Sequence, residues 1–582
     1  MNRKNIFLAS LAFAGLFSAC NDKLDVENPN QQTTGDFGKT LSDLNETVIA
    51  CYNHSRMEGS YARVGYTIDL CRGDEVWNCS QTWYIPFDNL NVTADNEISE
   101  WPWREWYYTL NVANYIISRV DDAALSDDDY NQVKGQALFF RGLVYYNLAA
   151  YYQDVPLITD YKAYSTLNGL YCENSSQDEV LDQVEKDFKD AMVMLPSRDT
   201  GGQWAKGRAT CGAAAGYYAR TLMFRHKFSE ARTVLSDIIA GKYGAYKLMS
   251  NYGDNFREGT AYENNAESLY EVQYLDYGQQ GTDDEWTPVN TSSNATQGHC
   301  IETNFGPSVC GGWADLAASP WLYQLFKAER CADGSLDPRL YWTLGTYESE
   351  YDGYIDGRSN TMWQIEIPDT GIVVNANNGG IPIVKHTAAR ENIYSTITQG
   401  LHCGVNLRMM RFADVLLLAA EAENEVNGPT QTAIDYINQV RARAGLKNLQ
   451  LADFPTADKL FEQIANVERP KELGCEFGRG IDLIRWGFFY AEDRLAQLKA
   501  HGSYAKSGKV LCLEVPDYEG CIAKRDTLDS SFNYYEQGHE YVPVPLAQLN
   551  ANPNLRGNSA NNNTSNAIEF RSKWGVHPVT DL

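Results

Sequence analysis

The chain has 582 residues, enough for several domains of roughly 150 residues or for one large one. Hydrophobic residues make up 43% and charged residues 21%, which excludes a largely disordered chain. Acidic residues outnumber basic ones 76 to 49, for a net charge of −27, which argues against nucleic-acid binding and its basic footprint.

The aromatic content is unusual: 37 Tyr, 21 Phe and 13 Trp. Tyr and Trp combine an apolar face with a polar edge, which suits cores and binding surfaces alike.

At the N-terminus, Arg3 and Lys4 precede a short apolar run from Ile6 to Phe17. The run is too short to span a bilayer, and residues 1–19 read as a secretion signal. Leu16-Phe17-Ser18-Ala19 before Cys20 resembles a bacterial lipobox, although Leu is the usual residue at the place of Phe17. Cleavage there makes Cys20 the lipidated first residue and residues 20–36, polar in character, a tether. An oxidising compartment permits disulfides. Cys71/Cys79, Cys300/Cys310 and Cys512/Cys521 are spaced to staple loops, with the connectivity left open. No C-x-x-C spacing points to zinc.

Helical periodicity dominates the first part of the chain. Trp103, Trp106, Tyr107, Leu110, Ala113 and Ile117 predict a helix over 103–120. Ala137, Phe140, Leu143, Val144 and Leu148 predict another over 133–152, and a third, over 180–195, stops at Pro196. Helices over 213–225 and 229–240 follow, the first rich in small residues (Ala213, Ala214, Ala215, Gly216, Ala219) that permit close approach. Pairs at this spacing suggest a TPR-like stack. Residues 247–407 are rich in Gly, Asn, Thr and aromatics, with strands predicted over 267–275 and 381–386. Helices return over 411–426, over 432–444 before Gly445, and over 457–485. Residues 491–582 are irregular.

Several motifs then stand in order. They are Gly135-Gln136-Ala137-Leu138-Phe139-Phe140-Arg141-Gly142-Leu143 with Gln153-Asp154-Val155-Pro156-Leu157; Arg411-Phe412-Ala413-Asp414-Val415-Leu416-Leu417 with Ala420-Glu421-Ala422; and Ile437-Asn438-Gln439-Val440-Arg441-Ala442-Arg443-Ala444-Gly445. Next come Glu468-Arg469, Glu472-Leu473, Glu476, Arg479 and Asp482-Leu483-Ile484-Arg485-Trp486-Gly487, and finally Pro543-Val544-Pro545 with Asn552-Pro553-Asn554-Leu555. Together they resemble the SusD/RagB family of outer-membrane nutrient-binding lipoproteins of Bacteroidetes. Pro470, within the usual basic run, and Phe477, at a usual Gly, depart from the family pattern.

The resemblance implies a mostly α, SusD-like fold in one domain over 37–582. Its helical scaffold spans about 37–246 and 408–490, around a loop-rich insertion over 247–407 that carries a few short strands. It also implies a surface-exposed protein held at the outer membrane by the lipid on Cys20. That protein captures glycans and passes them to a SusC-like TonB-dependent transporter, with no catalysis, no cofactor and no nucleic-acid partner. A related branch of the family binds peptides instead.

A glycoside hydrolase is the third reading. Glu468, Glu472 and Glu476 fall on one face of the helix expected over 457–485, and paired carboxylates can serve as acid and base. Arg469, Arg479, Arg485 and Asp482 on the same stretch favour a salt-bridged scaffold instead. By the resemblance, Arg411, Asp414, Glu421 and Trp486 belong to that scaffold too. No G-x-S-x-G, H-E-x-x-H or P-loop is present, and the eight histidines lack metal spacing. Asp352 and Asp356, beside Gly353 and Gly357, form only part of a Ca²⁺ loop pattern and read as a turn.

A sugar site needs flat rings for apolar C–H faces and amides or carboxylates for hydroxyls. Asp74, Trp77, Trp83, Tyr84 and Asn89 supply that mixture in one segment, with Trp101 in a similar loop-like context. Tyr277, Trp286 and Trp313 supply it inside the insertion. Trp103, Trp106, Trp342 and Trp486 are assigned to the scaffold, and Trp321 to neither group.

Overall fold

A computed structural model describes residues 37–557, apart from 79–80, 165, 167–169, 203–205, 276–296, 307–311, 314, 346–363, 368–371, 376–380, 388–402, 502 and 506–527. Cys20, Tyr277, Trp286, Asp352 and Asp356 therefore lie outside the described residues.

The scaffold is built from α1 (Leu41–Ser55), α2 (Val64–Cys71), α3 (Glu100–Arg119), α4 (Asp127–Tyr152), α5 (Gln177–Met194), α6 (Cys211–Phe224), α7 (Phe228–Ile239), α8 (Phe412–Asn427) and α9 (Gln431–Arg443). Leaving α2 aside, these pack in chain order: α1 on α3, α3 on α4, and so on to α8 on α9. That is the expected stack of helix pairs. Side-chain caps set several starts. Thr40 and Asp43 form a reciprocal capping box on α1, Ser176 and Glu179 do so on α5, and Ser126, Thr210 and Thr430 cap α4, α6 and α9.

The small residues of α6 bring a strand close. A Cβ on Gly216 would stand 2.6 Å from Met410 Sδ. Met410 lies in β6 (Leu407–Arg411), which pairs antiparallel with β2 (Ser268–Val272). This pairing closes the base of the insertion: the chain leaves the scaffold through β2 and returns through β6. The other strands also pair in twos: β1 (Val76–Asn78) with β3 (Leu316–Ala318), β4 (Gln364–Ile367) with β5 (Ile372–Asn375), and β7 (Ser503–Ala505) with β8 (Leu528–Ser530). Residues 381–386 form no strand but two isolated bridges, Ala318 to Ile381 and Leu344 to Ile383. The region expected to be irregular contains helices Glu492–His501 and Leu546–Ala551. Among the described residues, no helix is long and apolar enough to cross a membrane.

The helix expected over 457–485 is broken into Ala457–Gln463, a π-helical turn at Ile464–Glu468, Arg469–Leu473, and α10 (Arg479–Arg485). Pro470 has no N–H to donate and its ring crowds the preceding turn, which a wider π turn accommodates. Gly474 ends the segment where a Cβ would meet Pro470 O at 2.3 Å, and Cys475 follows with φ 61°. Glu476 is therefore not on the same helix face as Glu468 and Glu472.

Tertiary structure still gathers these carboxylates. Arg411 donates to Glu267 (2.8 Å) and Glu476 (2.7 and 2.9 Å) and pairs with Glu472, which also meets Arg339 (3.2 Å) and Arg443. Lys385 adds a bond to Glu476 at 3.0 Å. A second network joins Asp414 to Arg220 and Arg469, Asp482 to Arg469 and Arg485, and Glu421 to Arg485 and the Trp486 indole N–H. Nearly all these groups are buried, each carboxylate facing guanidinium or ammonium partners. That is the matched geometry a buried charge requires.

Candidate functional site

The segment from Asp74 to Asn89 and the Trp313 end of the second aromatic segment meet through one small sheet. β1 and β3 run antiparallel in the register Val76–Ala318, Trp77–Ala317 and Asn78–Leu316. Ser319 N–H extends the join by donating to Glu75 O at 2.7 Å. Upstream of β3, Trp313 N–H donates to Thr303 O and Asp315 N–H to Asn304 O, both at 2.8 Å. Asn304 Nδ2 in turn donates to Thr67 Oγ1 of α2 at 2.8 Å.

Arg63, at the entry to α2, holds the two halves together. Its guanidinium lies 4.3 Å from the centroid of the Trp313 ring, a cation–π contact. It also pairs with Glu58 at 2.8 Å and Asp315 at 3.7 Å. The Tyr84 phenol is in electrostatic reach of Arg63 and Asp315, and burial pushes its pKa well up. The sequence reading passed over Arg63 and Asp315. Neither belongs to a local motif, and tertiary contacts, the β1–β3 pairing and the Asn304–Thr67 bond among them, bring them together.

Trp83 and Trp313 are half-buried, and so is Asn89, which caps the short helix Ile85–Asp88. Ile85 beside them is 41% exposed. Trp83 and Asn89 flank Tyr84, and Trp313 covers Arg63, so the part-exposed rings and amide of the two segments stand on either side of the Arg63–Asp315–Tyr84 group, and we call this surface the ledge.

Four expected ligand residues are instead internal. Asp74 is fully buried and clamped by Arg479 at 2.6 and 2.8 Å, with His501 Nδ1 at 2.9 Å. Burial raises its pKa, but Arg479 and His501 outweigh that and hold the carboxyl well below its ordinary value. Tyr84 has no exposed surface. Trp77 is buried in the β1–β3 pair, opposite Ala317. Trp101 is buried where α3 meets the turn at Glu58–Ala62, and a Cβ on Gly59 would stand 2.9 Å from Trp101 O. Polar, Gly-rich sequence around these residues reads as loop, but the sheet covers Trp77, α10 covers Asp74, and Trp101 lies in α3 itself.

The scaffold tryptophans pack as assigned: Trp103 edge-on to Tyr152, Trp106 against Tyr151 and Trp486 edge-on to Phe461. Trp321 stacks on His501, with centroids 3.9 Å apart and planes 9° apart. This places it beside the Asp74–Arg479 pair rather than on the ledge. Among the described residues, no cluster of three His, Cys, Asp or Glu side chains could hold a metal.

Comparison with known proteins agrees with this architecture. The SusD family model matches residues 266–560, and a second model, described as starch-binding and associating with the outer membrane, matches residues 22–223. A SusD-like protein P25 of Formosa agariphila is 23% identical, with 97% of this chain and 99% of that protein covered. A SusD superfamily protein of Bacteroides vulgatus has a similar structure, with TM-score 0.69 and 23% identity over 90% of this chain and all of that one. Surface glycan-binding protein A of Bacteroides thetaiotaomicron, solved with laminarihexaose, gives TM-score 0.65 and 20% identity over 89% of this chain and 99% of that one. With its motifs in order, its paired-helix scaffold and a family match over more than half its length, the chain belongs to the SusD family.

Proposed function

We propose that the protein binds glycans at the ledge formed by Trp83, Asn89 and Trp313, and does no chemistry on them. The observation that carries this reading is the union by β1–β3 of the segment from Asp74 to Asn89 with the Trp313 end of the second aromatic segment, with half-buried rings on either side of the Arg63–Asp315–Tyr84 group. Rings of this kind stack on sugar C–H faces while amides meet hydroxyls. Family membership supports it, as does a structural relative solved with laminarihexaose. The matched, buried state of Glu472 and Glu476 supports a non-catalytic role, since these carboxylates are already committed to Arg411, Arg443 and Lys385.

The same reading places the protein at the outer-membrane surface. Cys20 carries the lipid anchor, and the bound glycan passes to a SusC-like TonB-dependent transporter. Metabolic labelling with a fatty acid, compared between wild type and Cys20→Ala, tests the anchor. Co-purification of a TonB-dependent barrel with the tagged protein tests the partner. Retardation of the purified protein in native gels containing polysaccharide tests glycan binding, and retention by peptides alone would contradict it.

A further inference from the structure

A cavity of about 400 Å³, lined by none of the ledge residues, opens between α1, the segment leading into α6, and β2. Its size falls in the range of about 300–1,000 Å³ typical of small-ligand sites. Tyr270 of β2 lies on its buried floor, Tyr52 of α1 forms a wall, and Lys206 and Asn264 are exposed at the rim.

Among the described residues, the lining holds two cations, Lys206 and Arg208, and no carboxylate, in a chain whose net charge is −27. The Arg208 guanidinium is fixed beside the ring. Its Nη1 stands 3.5 Å from Gln136 Oε1, which also accepts the Tyr52 hydroxyl at 2.9 Å, and Ala209 N–H donates to that hydroxyl at 2.7 Å. On the opposite wall, Gln273 and Asn264 hold one another through reciprocal amide bonds of 2.8 and 3.2 Å. The nearby carboxylate of Glu271 is buried, paired with Arg408 and accepting from the Asn264 N–H. Glu263, next to Asn264, is only half-buried and does not line the cavity.

From this juxtaposition of two cations with a tyrosine wall and an amide rim, we infer that the cavity is a second saccharide site, selective for a sugar that carries an oxyanion, either a uronate carboxylate or a sulfate ester. The aromatic wall takes the ring, and Lys206 and Arg208 take the charge in charge-assisted bonds, stronger than neutral ones. This rests on the glycan-binding reading for the class of ligand, but not on the Trp83–Trp313 ledge.

The test is isothermal titration of the full chain with an oligogalacturonide, a sulfated oligosaccharide, a neutral oligosaccharide that binds the ledge, and inorganic sulfate. The expected result is binding of at least one acidic oligosaccharide, weakened roughly tenfold by Lys206→Ala and restored by Lys206→Arg. That binding should fall as salt rises from about 50 to about 500 mM. Trp313→Ala should leave it in place, and Lys206→Ala should leave neutral-glycan binding in place, so failure of either site is read separately. Three results would overturn the proposal: no binding of either acidic sugar, acidic binding unchanged by Lys206→Ala, or inorganic sulfate competing as tightly as the acidic sugar.

Discussion

The Arg63 guanidinium covers one face of the Trp313 ring at 4.3 Å while pairing with Glu58 and Asp315 beneath it. One residue thus sets the orientation of a candidate stacking ring and neutralises two carboxylates. Arg63→Met keeps the aliphatic cover but leaves Glu58 and Asp315 without their cation. Removing one partner of a buried pair costs about 3–5 kcal/mol. Urea denaturation should show a loss of that order. Trp313→Ala, at a half-buried ring, should cost far less stability and mainly reduce binding.

Asp74 gives a sharper contrast. It is clamped by Arg479 and His501 in the interior. Asp74→Ala strands the Arg479 guanidinium and should destabilise the fold by about 3–5 kcal/mol. Glycan affinity, measured where the variant remains folded, should equal that of wild type. A binding defect in a fully folded Asp74→Asn variant would return Asp74 to the ligand surface.

These residues show which parts of the molecule the sequence made legible. The helix pairs were readable because apolar spacing, the stops at Pro196 and Gly445 and the Arg411 to Trp486 motifs are local signals, and local signals survive into the fold. The break at Gly474 was harder: Pro470 stood in plain view, but a π turn and a positive φ at Cys475 are backbone responses without a periodicity of their own. The ledge was half-readable. Trp83 and Trp313 were named for their polar, Gly-rich neighbourhoods, yet the same neighbourhoods also pointed to Asp74, Trp77, Tyr84 and Trp101. Burial of Asp74 depends on Arg479 of α10, that of Trp77 on a three-residue sheet between distant segments and that of Trp101 on the turn at Glu58–Ala62, and none of these is visible from composition. Arg63 was missed for the same reason.

The buried charge networks make acid stability predictable. Burial alone would raise the Asp414 carboxyl, but Arg469 and Arg220 outweigh it and bring it from 3.8 to about 2. The Glu472 carboxyl is likewise held low by Arg443, Arg411 and Arg339 against the pull of burial. A folded-state pKa below the unfolded one contributes stability that is present above about pH 4 and lost as pH falls toward the folded value. Wild type should therefore lose stability steeply between about pH 4 and pH 2. Asp414→Asn, less stable at neutral pH, should show a shallower acid limb in urea denaturation followed by tryptophan fluorescence.

Glu75 has the opposite sign. It is fully buried, accepts a hydrogen bond from the Cys475 N–H, and burial together with the Asp74 charge lifts its pKa to about 7 despite Arg479. A raised carboxyl is protonated more readily in the folded state, so its stabilising contribution is present below the unfolded pKa and fades as pH rises toward 7. Glu75→Gln keeps an acceptor without the charge. Relative to wild type it should gain stability on going from pH 5 to pH 8, by up to roughly 3 kcal/mol for a shift of this size. Paired denaturation curves at the two pH values give the difference directly, and an unchanged difference would contradict the assignment.

The central claim is tested most directly by native electrophoresis of wild type, Trp83→Ala and Trp313→Ala through gels with and without a panel of polysaccharides. Circular dichroism should confirm that each variant is folded. The account predicts retardation of wild type by at least one glycan and a loss of at least about tenfold in affinity for each variant, the scale of an aromatic hot spot. Retardation of both folded variants equal to that of wild type would contradict the ledge as the binding surface.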